Sequence, residues 1–292
     1  TVPRPFIAPR WPLMLTPVVA ICFYSAYYLV LPAFSRKIIP ATYGSFNEFN
    51  ERCWRQNLLS GCHTVMSVIF LSTAIASDRD AFAHRLLPHD DVIWLHVDVG
   101  VSLGYFLFAL PMSFHMMKAG FPYGSPVMVL HHSLVVVAQL TFLLTGYPHF
   151  YMAASGLLFE VTNVFFIPHV IMLQLQLRGF TPTVNGAMLV IVYTLARAVC
   201  CTVLVLLSFV DLGNFAPPQQ GAWVAVCSGL ACLYGLVALS WYWYVGSILP
   251  ALHQGLKDAC GDTYYHSCTP AWLRGLVFRH LSEEGRRETQ EA

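Results

Sequence analysis

The chain is short of charge. Of its 292 residues only 11% are Asp, Glu, Lys or Arg, while 57% are apolar; an ordinary soluble domain carries roughly 25% charge. That deficit excludes a water-soluble globule with a normal polar surface. The formal net charge is +1, so there is no basic excess to neutralise a phosphate backbone, and no nucleic-acid partner is expected. There is no Gly/Ser linker, low-complexity tract or internal repeat. The nine cysteines are an odd number, and Cys22, Cys62, Cys200, Cys201, Cys227 and Cys232 lie in apolar runs, where thiols act as small hydrophobes rather than a disulfide framework. Metal-ligand spacing is also lacking: no apolar run holds H-x-x-x-H, and Cys260, His266 and Cys268 in the polar tail lack a second C-x-x-C. A seven-span zinc hydrolase therefore has no ligand set here, and no metal or cofactor is expected.

What the chain has is long apolar runs. About 20 apolar residues cross roughly 30 Å of hydrocarbon as a helix, and seven stretches are long enough: 11–33, 57–77, 92–117, 126–145, 149–175, 184–210 and 221–247. The fold class is thus all-α, a polytopic membrane protein, organised as an N-terminal segment with one span (1–49), a six-helix membrane domain (50–247) and a polar tail (248–292). Pro111 and Pro168 are expected to kink or end the third and fifth spans. Outside the spans, four basic residues (Arg4, Arg10, Arg79, Arg85) fall on the N-terminal face and eleven on the other. The positive-inside rule then puts the C-terminus in the cytosol or its organellar equivalent. A start without methionine leaves room for a processed leader, so the endoplasmic reticulum and a mitochondrial inner membrane are both open. A seven-span receptor is disfavoured, because long loops, a paired-cysteine cap and a large cytosolic segment are missing.

Charge inside a bilayer costs about 3 kcal/mol or more per group, so intramembrane polar residues normally face the bundle interior and have partners. The second span carries Asn57, Ser60, His63 and Ser67 within an arc of roughly 120°, one polar stripe. His63 and the adjacent pair His131 and His132 lie about six residues inside the basic face, roughly 9 Å deep, and can meet. His131 and His132 point about 100° apart, so only one can aim squarely into a shared pocket. Glu160 and Asn163 share a face of the fifth span, Arg197 sits at the middle of the sixth, and a buried Glu160–Arg197 pair is expected. Asp98 and His96 are expected near the opposite interface. Either these groups line a site or they simply fix helix packing.

In this order, "W..N..S..H...S" at Trp54 to Ser67, "GYFLF" at Gly104 to Phe108, the pair His131–His132, "LLFEVTNVFF" at Leu157 to Phe166 and the intramembrane Arg197 resemble the TLC-domain family of ceramide synthases, translocating-chain-associated proteins and lipid-regulating proteins. The resemblance implies six helices around a central lipid-sized cavity, preceded here by one extra span. It makes Asn57, Ser60, His63, Ser67, Tyr105, His131, His132, Glu160, Asn163 and Arg197 candidate lipid-binding residues. In the ceramide synthases a further His-Asp and Asp precede the Glu; here that stretch reads "MAASGLLFEVTNV", and Ala109 stands where the family usually carries Asp. The expected function is therefore a non-catalytic membrane protein that binds or senses phospholipid or sphingolipid. Its role is to influence membrane composition or to serve as an accessory subunit with partner chains in a larger complex. The alternative is acyl-CoA-dependent lipid acyl transfer, with His131 or His132 as base or nucleophile and Glu160 orienting it. The tail "RGLVFRHLSEEGRRETQEA" is expected at the cytosolic surface or disordered, with partner docking open.

Overall fold

The computed structural model describes residues 11–78, 85–87, 93–119, 125–217, 221–250 and 252. Cys260, His266, Cys268 and the amphipathic tail lie outside them. The described chain is helical. Helix α1 (Trp11–Ser25) passes through a π-turn (Ala26–Val30) into α2 (Leu31–Ile38); α3 (Pro40–Gly44) is a short elbow. Then come α4 (Glu48–Ser77), α5 (Ile93–Lys118), α6 (Pro126–Thr145) and α7 (His149–Gln174). Helix α8 (Phe180–Tyr193) runs through a π-turn (Thr194–Cys200) into α9 (Cys201–Gly213), and α10 (Ala222–Trp243) ends in a third π-turn (Tyr244–Ile248). Seven of the resulting rods are long and apolar enough to span a membrane, so the protein is an integral membrane protein. The chain divides into two compact units, Thr1–Ala238 and Leu239–Ala292, and everything below concerns the first.

Spans expected from hydropathy match these rods closely except in the first, second and sixth; the first runs on to Ile38 rather than ending at 33. Helix α4 starts at Glu48 rather than at 57, because its first turns are stabilised by polar groups. Asn47 caps it by accepting a bond from the Asn50 N–H at 2.8 Å, Glu48 and Glu51 sit at the positive end of the helix dipole, and they pair with Arg52 and Arg55 one turn on. The sixth span is longer than 184–210, running Phe180–Gly213. Helix α6 is bounded as its signals require, with a Ser125 cap on the Met128 N–H at 3.2 Å and Gly146 at φ 75° just past its end. Pro111 and Pro168 end nothing: α5 and α7 run through them.

Helix α5 is the centre of the unit. In its most apolar window 72% of residues are buried, against 22–50% in the other six rods, and it packs on α1, α4 and α6, while α4 also packs along α7 and α7 along α8. Apolar residues on the outer faces, such as Ile69, Leu144, Phe180, Leu206 and Phe209, remain exposed, as a lipid-facing surface should. At the end of the unit remote from the α4 N-terminus, Arg85 ties three elements together. Its guanidinium forks onto the two Asp211 carboxylate oxygens at 2.7 and 2.6 Å, its carbonyl accepts the Phe150 N–H at 3.1 Å, and the Tyr151 hydroxyl also donates to Asp211. Leu86 is buried beside it in the α7/α9/α10 core. The pair is only partly buried, so Arg85→Ala is expected to cost about 1–2 kcal/mol, between exposed and buried ion pairs. Because the contact is bidentate, Arg85→Lys should recover less than half of the loss in thermal melts.

Candidate functional site

The α4 stripe faces α5 and α7. Asn57 donates to the Gln174 side-chain oxygen at 3.2 Å, and Ser60 shares a 2.6 Å bond with the Tyr105 hydroxyl. One turn deeper, the His63 ring stacks on Tyr105 with centroids 4.3 Å apart. His63 Nε2 lies 2.7 Å from Ser102 Oγ and 3.3 Å from Ser67 Oγ, while Nδ1 faces Glu160 Oε1 at 3.9 Å. The two serine hydroxyls are 3.2 Å apart. The other Glu160 oxygen, Oε2, accepts bonds from Thr64 Oγ1 at 2.6 Å and Asn163 Nδ2 at 3.2 Å. Two donors thus hold one carboxylate oxygen and leave the second turned to the imidazole.

Arg197 closes the α7 side. It donates to Thr162 Oγ1 at 2.6 Å, to the Phe159 carbonyl at 2.8 Å and to Asn163 Oδ1 at 3.1 Å, and it lies over the Phe159 and Tyr193 rings, each 5.2 Å away. The expected direct Glu160–Arg197 pair is therefore replaced by a bridge. Asn163 offers its carbonyl to the guanidinium and its amide to the carboxylate, because at 100° per residue Glu160 turns toward α4 while Thr162 turns toward the π-turn that carries Arg197.

His132 is buried, with Nδ1 2.9 Å from Ser113 Oγ. Its ring flanks Phe106 at 5.4 Å between centroids, and His63 flanks the same ring at 5.6 Å. So the histidines of α4 and α6 do approach, with Phe106 between them. His131 sits 5.6 Å from His132, ring to ring. Asp98 is only 4% exposed, and among the described residues its Oδ1 has no hydrogen-bond partner. His96 is buried as well. Among the described residues no group of three or more His, Cys, Asp or Glu converges as a metal site.

Ser102, Thr64, Thr162, Gln174 and Ser113 belong to this network although the sequence reading did not single them out. At the mouth of the stripe, outside the spans, burial and a hydrogen bond to Glu51 push the Tyr43 phenol up from its ordinary value. It stays a neutral donor there while Arg55 donates to its oxygen.

A family model described as the TLC domain matches residues 48–246, from the first residue of α4 into the last π-turn, with α1 to α3 outside the match. No curated protein and no solved structure gives a significant match. The chain belongs to the TLC-domain family of multi-pass membrane proteins.

Proposed function

We propose that this protein binds or senses a membrane lipid through the polar core of α4, α5 and α7, and so influences membrane composition or serves as an accessory subunit of a membrane complex. One observation carries the reading: the polar stripe grades from partly exposed Asn57 and Ser60 to buried His63 and Ser67. That is a path on which a headgroup meets hydrogen-bonding side chains while its chains stay in apolar surroundings. Phospholipid and sphingolipid both fit. The membrane is endoplasmic reticulum or mitochondrial inner membrane, with the basic face and the C-terminus on the cytosolic or matrix side.

Acyl-CoA-dependent transfer at His131 and His132 is the second reading, and the contacts favour it less. It needs Glu160 to orient one of the paired histidines, but the Glu160 carboxylate is turned to His63 and held there by Thr64 and Asn163. Native mass spectrometry with lipidomics on full-length protein, gently extracted from its own membrane, tests the proposal. At least one lipid per chain should be retained, and Asn57→Leu together with Ser60→Leu should reduce its occupancy roughly tenfold, the equivalent of one lost hydrogen bond. Lipid-free protein, or occupancy unchanged in the double variant, rejects it. A fixed stoichiometry with other chains would specify the accessory role.

A further inference from the structure

The hydroxyl groups of this unit mostly do what Ser and Thr do in helices, bonding back to a carbonyl three or four residues earlier. Thr16, Ser133, Ser155 and Thr202 all do so. The Ser102 hydroxyl instead meets an imidazole and a second serine, both on α4. The histidine it meets uses its two ring nitrogens on different partners: Nε2 toward Ser102 Oγ at 2.7 Å and Nδ1 toward a carboxylate oxygen at 3.9 Å. A hydroxyl within hydrogen-bond distance of one imidazole nitrogen, and a carboxylate at ion-pair distance from the other, set out a nucleophile–base–orienter order, recognised by geometry and roles rather than by chain order.

Simple packing does not require this order. A histidine that only filled space would be satisfied by one bond, whereas here Glu160 is itself oriented from behind by Thr64 and Asn163, with its free oxygen directed at Nδ1. That arrangement favours the tautomer with hydrogen on Nδ1 and a lone pair on Nε2, the form able to accept the Ser102 proton. Ser67 is the competing hydroxyl, but it lies farther from Nε2, at 3.3 Å against 2.7 Å for Ser102.

We infer that Ser102, His63 and Glu160 form a serine-nucleophile site for the carboxylic ester of a membrane lipid. The inference rests on the lipid-binding reading and adds a covalent step to it, at residues distinct from His131 and His132. Ser102 Oγ adds to the ester carbonyl carbon as its proton passes to His63 Nε2. The C–O bond to the lipid alcohol then breaks, the alcohol leaves with the proton from Nε2, and the acyl group remains as an ester on Ser102. Water, or the hydroxyl of a second lipid, attacks that ester. Its proton goes to Nε2 and then to the departing Ser102 oxygen, releasing fatty acid or a new ester without any change in oxidation state. Glu160 holds the ring and stabilises the imidazolium without taking the proton. The site is buried, Ser102 being 3% exposed as a residue, so the ester must reach it along the stripe from Asn57 and Ser60.

The test is labelling of the full chain in phospholipid nanodiscs with a long-chain alkyl fluorophosphonate, which forms a P–O bond to an activated serine and expels fluoride, followed by peptide mapping. The adduct is expected on Ser102, absent in Ser102→Ala, slowed on the order of a hundredfold or more in His63→Gln and Glu160→Gln, and unchanged in Ser155→Ala. Ser102→Cys, nearly isosteric, keeps the fold and should shift reactivity to iodoacetamide with the same dependence on His63. Native mass spectra of the same preparation separate the two readings. Lipid retained with no Ser102 adduct, an adduct on Ser67 instead, or labelling that ignores His63 overturns the triad and leaves lipid binding standing; absence of both lipid and adduct overturns both.

Discussion

Replacing Arg197 with methionine, which keeps most of the side-chain length and removes the charge, is expected to destabilise the protein by about 3–5 kcal/mol, the range for breaking one half of a buried ionic arrangement. Arg197 is 6% exposed and carries three hydrogen bonds and two ring contacts. The bonds it loses are part of the cost; the larger part is what is left behind. Glu160 shares Asn163 with the guanidinium, so without Arg197 a carboxylate stays inside the membrane with no compensating charge nearby. The double variant Arg197→Met with Glu160→Gln removes both charges and should recover most of the loss. Arg197→Lys should recover little, since an ammonium cannot fork between Thr162, the Phe159 carbonyl and Asn163. Thermal unfolding of the four proteins in one detergent measures the coupling. A double variant no more stable than Arg197→Met would mean that the Asn163 bridge transmits nothing.

That bridge shows what the sequence could and could not carry. Level along a helix follows from 1.5 Å per residue, and Glu160 and Arg197 do both bond Asn163; azimuth between helices does not follow, and the π-turn at Thr194–Cys200 shifts the facing of Arg197 in a way hydropathy cannot register. The α4 stripe was legible because its four polar residues repeat at helical spacing on an apolar background. Its partners Ser102 and Thr64 were not, because a helical Ser or Thr is usually satisfied by its own backbone, and only the packed structure tells which ones are diverted; Thr162 keeps its bond to the Phe159 carbonyl and also accepts from Arg197. The seven spans were legible from length and apolarity, while the early start of α4 was hidden in the polar string Glu48–Gln56, whose capping and ion pairs extend the helix where hydropathy falls away.

Gly104→Leu is expected to release α1 from the domain, at a cost of about 3 kcal/mol or more, the upper end for overpacking a tight contact. A Cβ at Gly104 would stand 2.8 Å from the Thr16 carbonyl oxygen and 2.8 Å from Val19 Cβ, and one at Gly100 would stand 3.1 Å from the Pro12 carbonyl oxygen. The first two neighbours are a backbone atom and a branched stem, so neither can yield without moving the helix. Even Gly104→Ala should therefore destabilise, whereas Gly44→Ala, with nothing within 4 Å, should not; equal melting temperatures for Gly104→Ala and the parent would dispose of the argument. Displacing α1 also strips Phe23 and Tyr27 from Tyr105 and Phe108. Tyr27 lies under the Arg55 guanidinium at 5.3 Å, and Ser35 on α2 accepts the Trp54 indole N–H at 3.0 Å, so the N-terminal rod braces the first turns of α4, where the polar stripe opens. Gly104→Leu is thus expected to lower retained lipid as well as stability. The three atoms nearest a Gly104 Cβ all belong to α1, so that loss would identify α1 as a support for the opening rather than a passive membrane anchor.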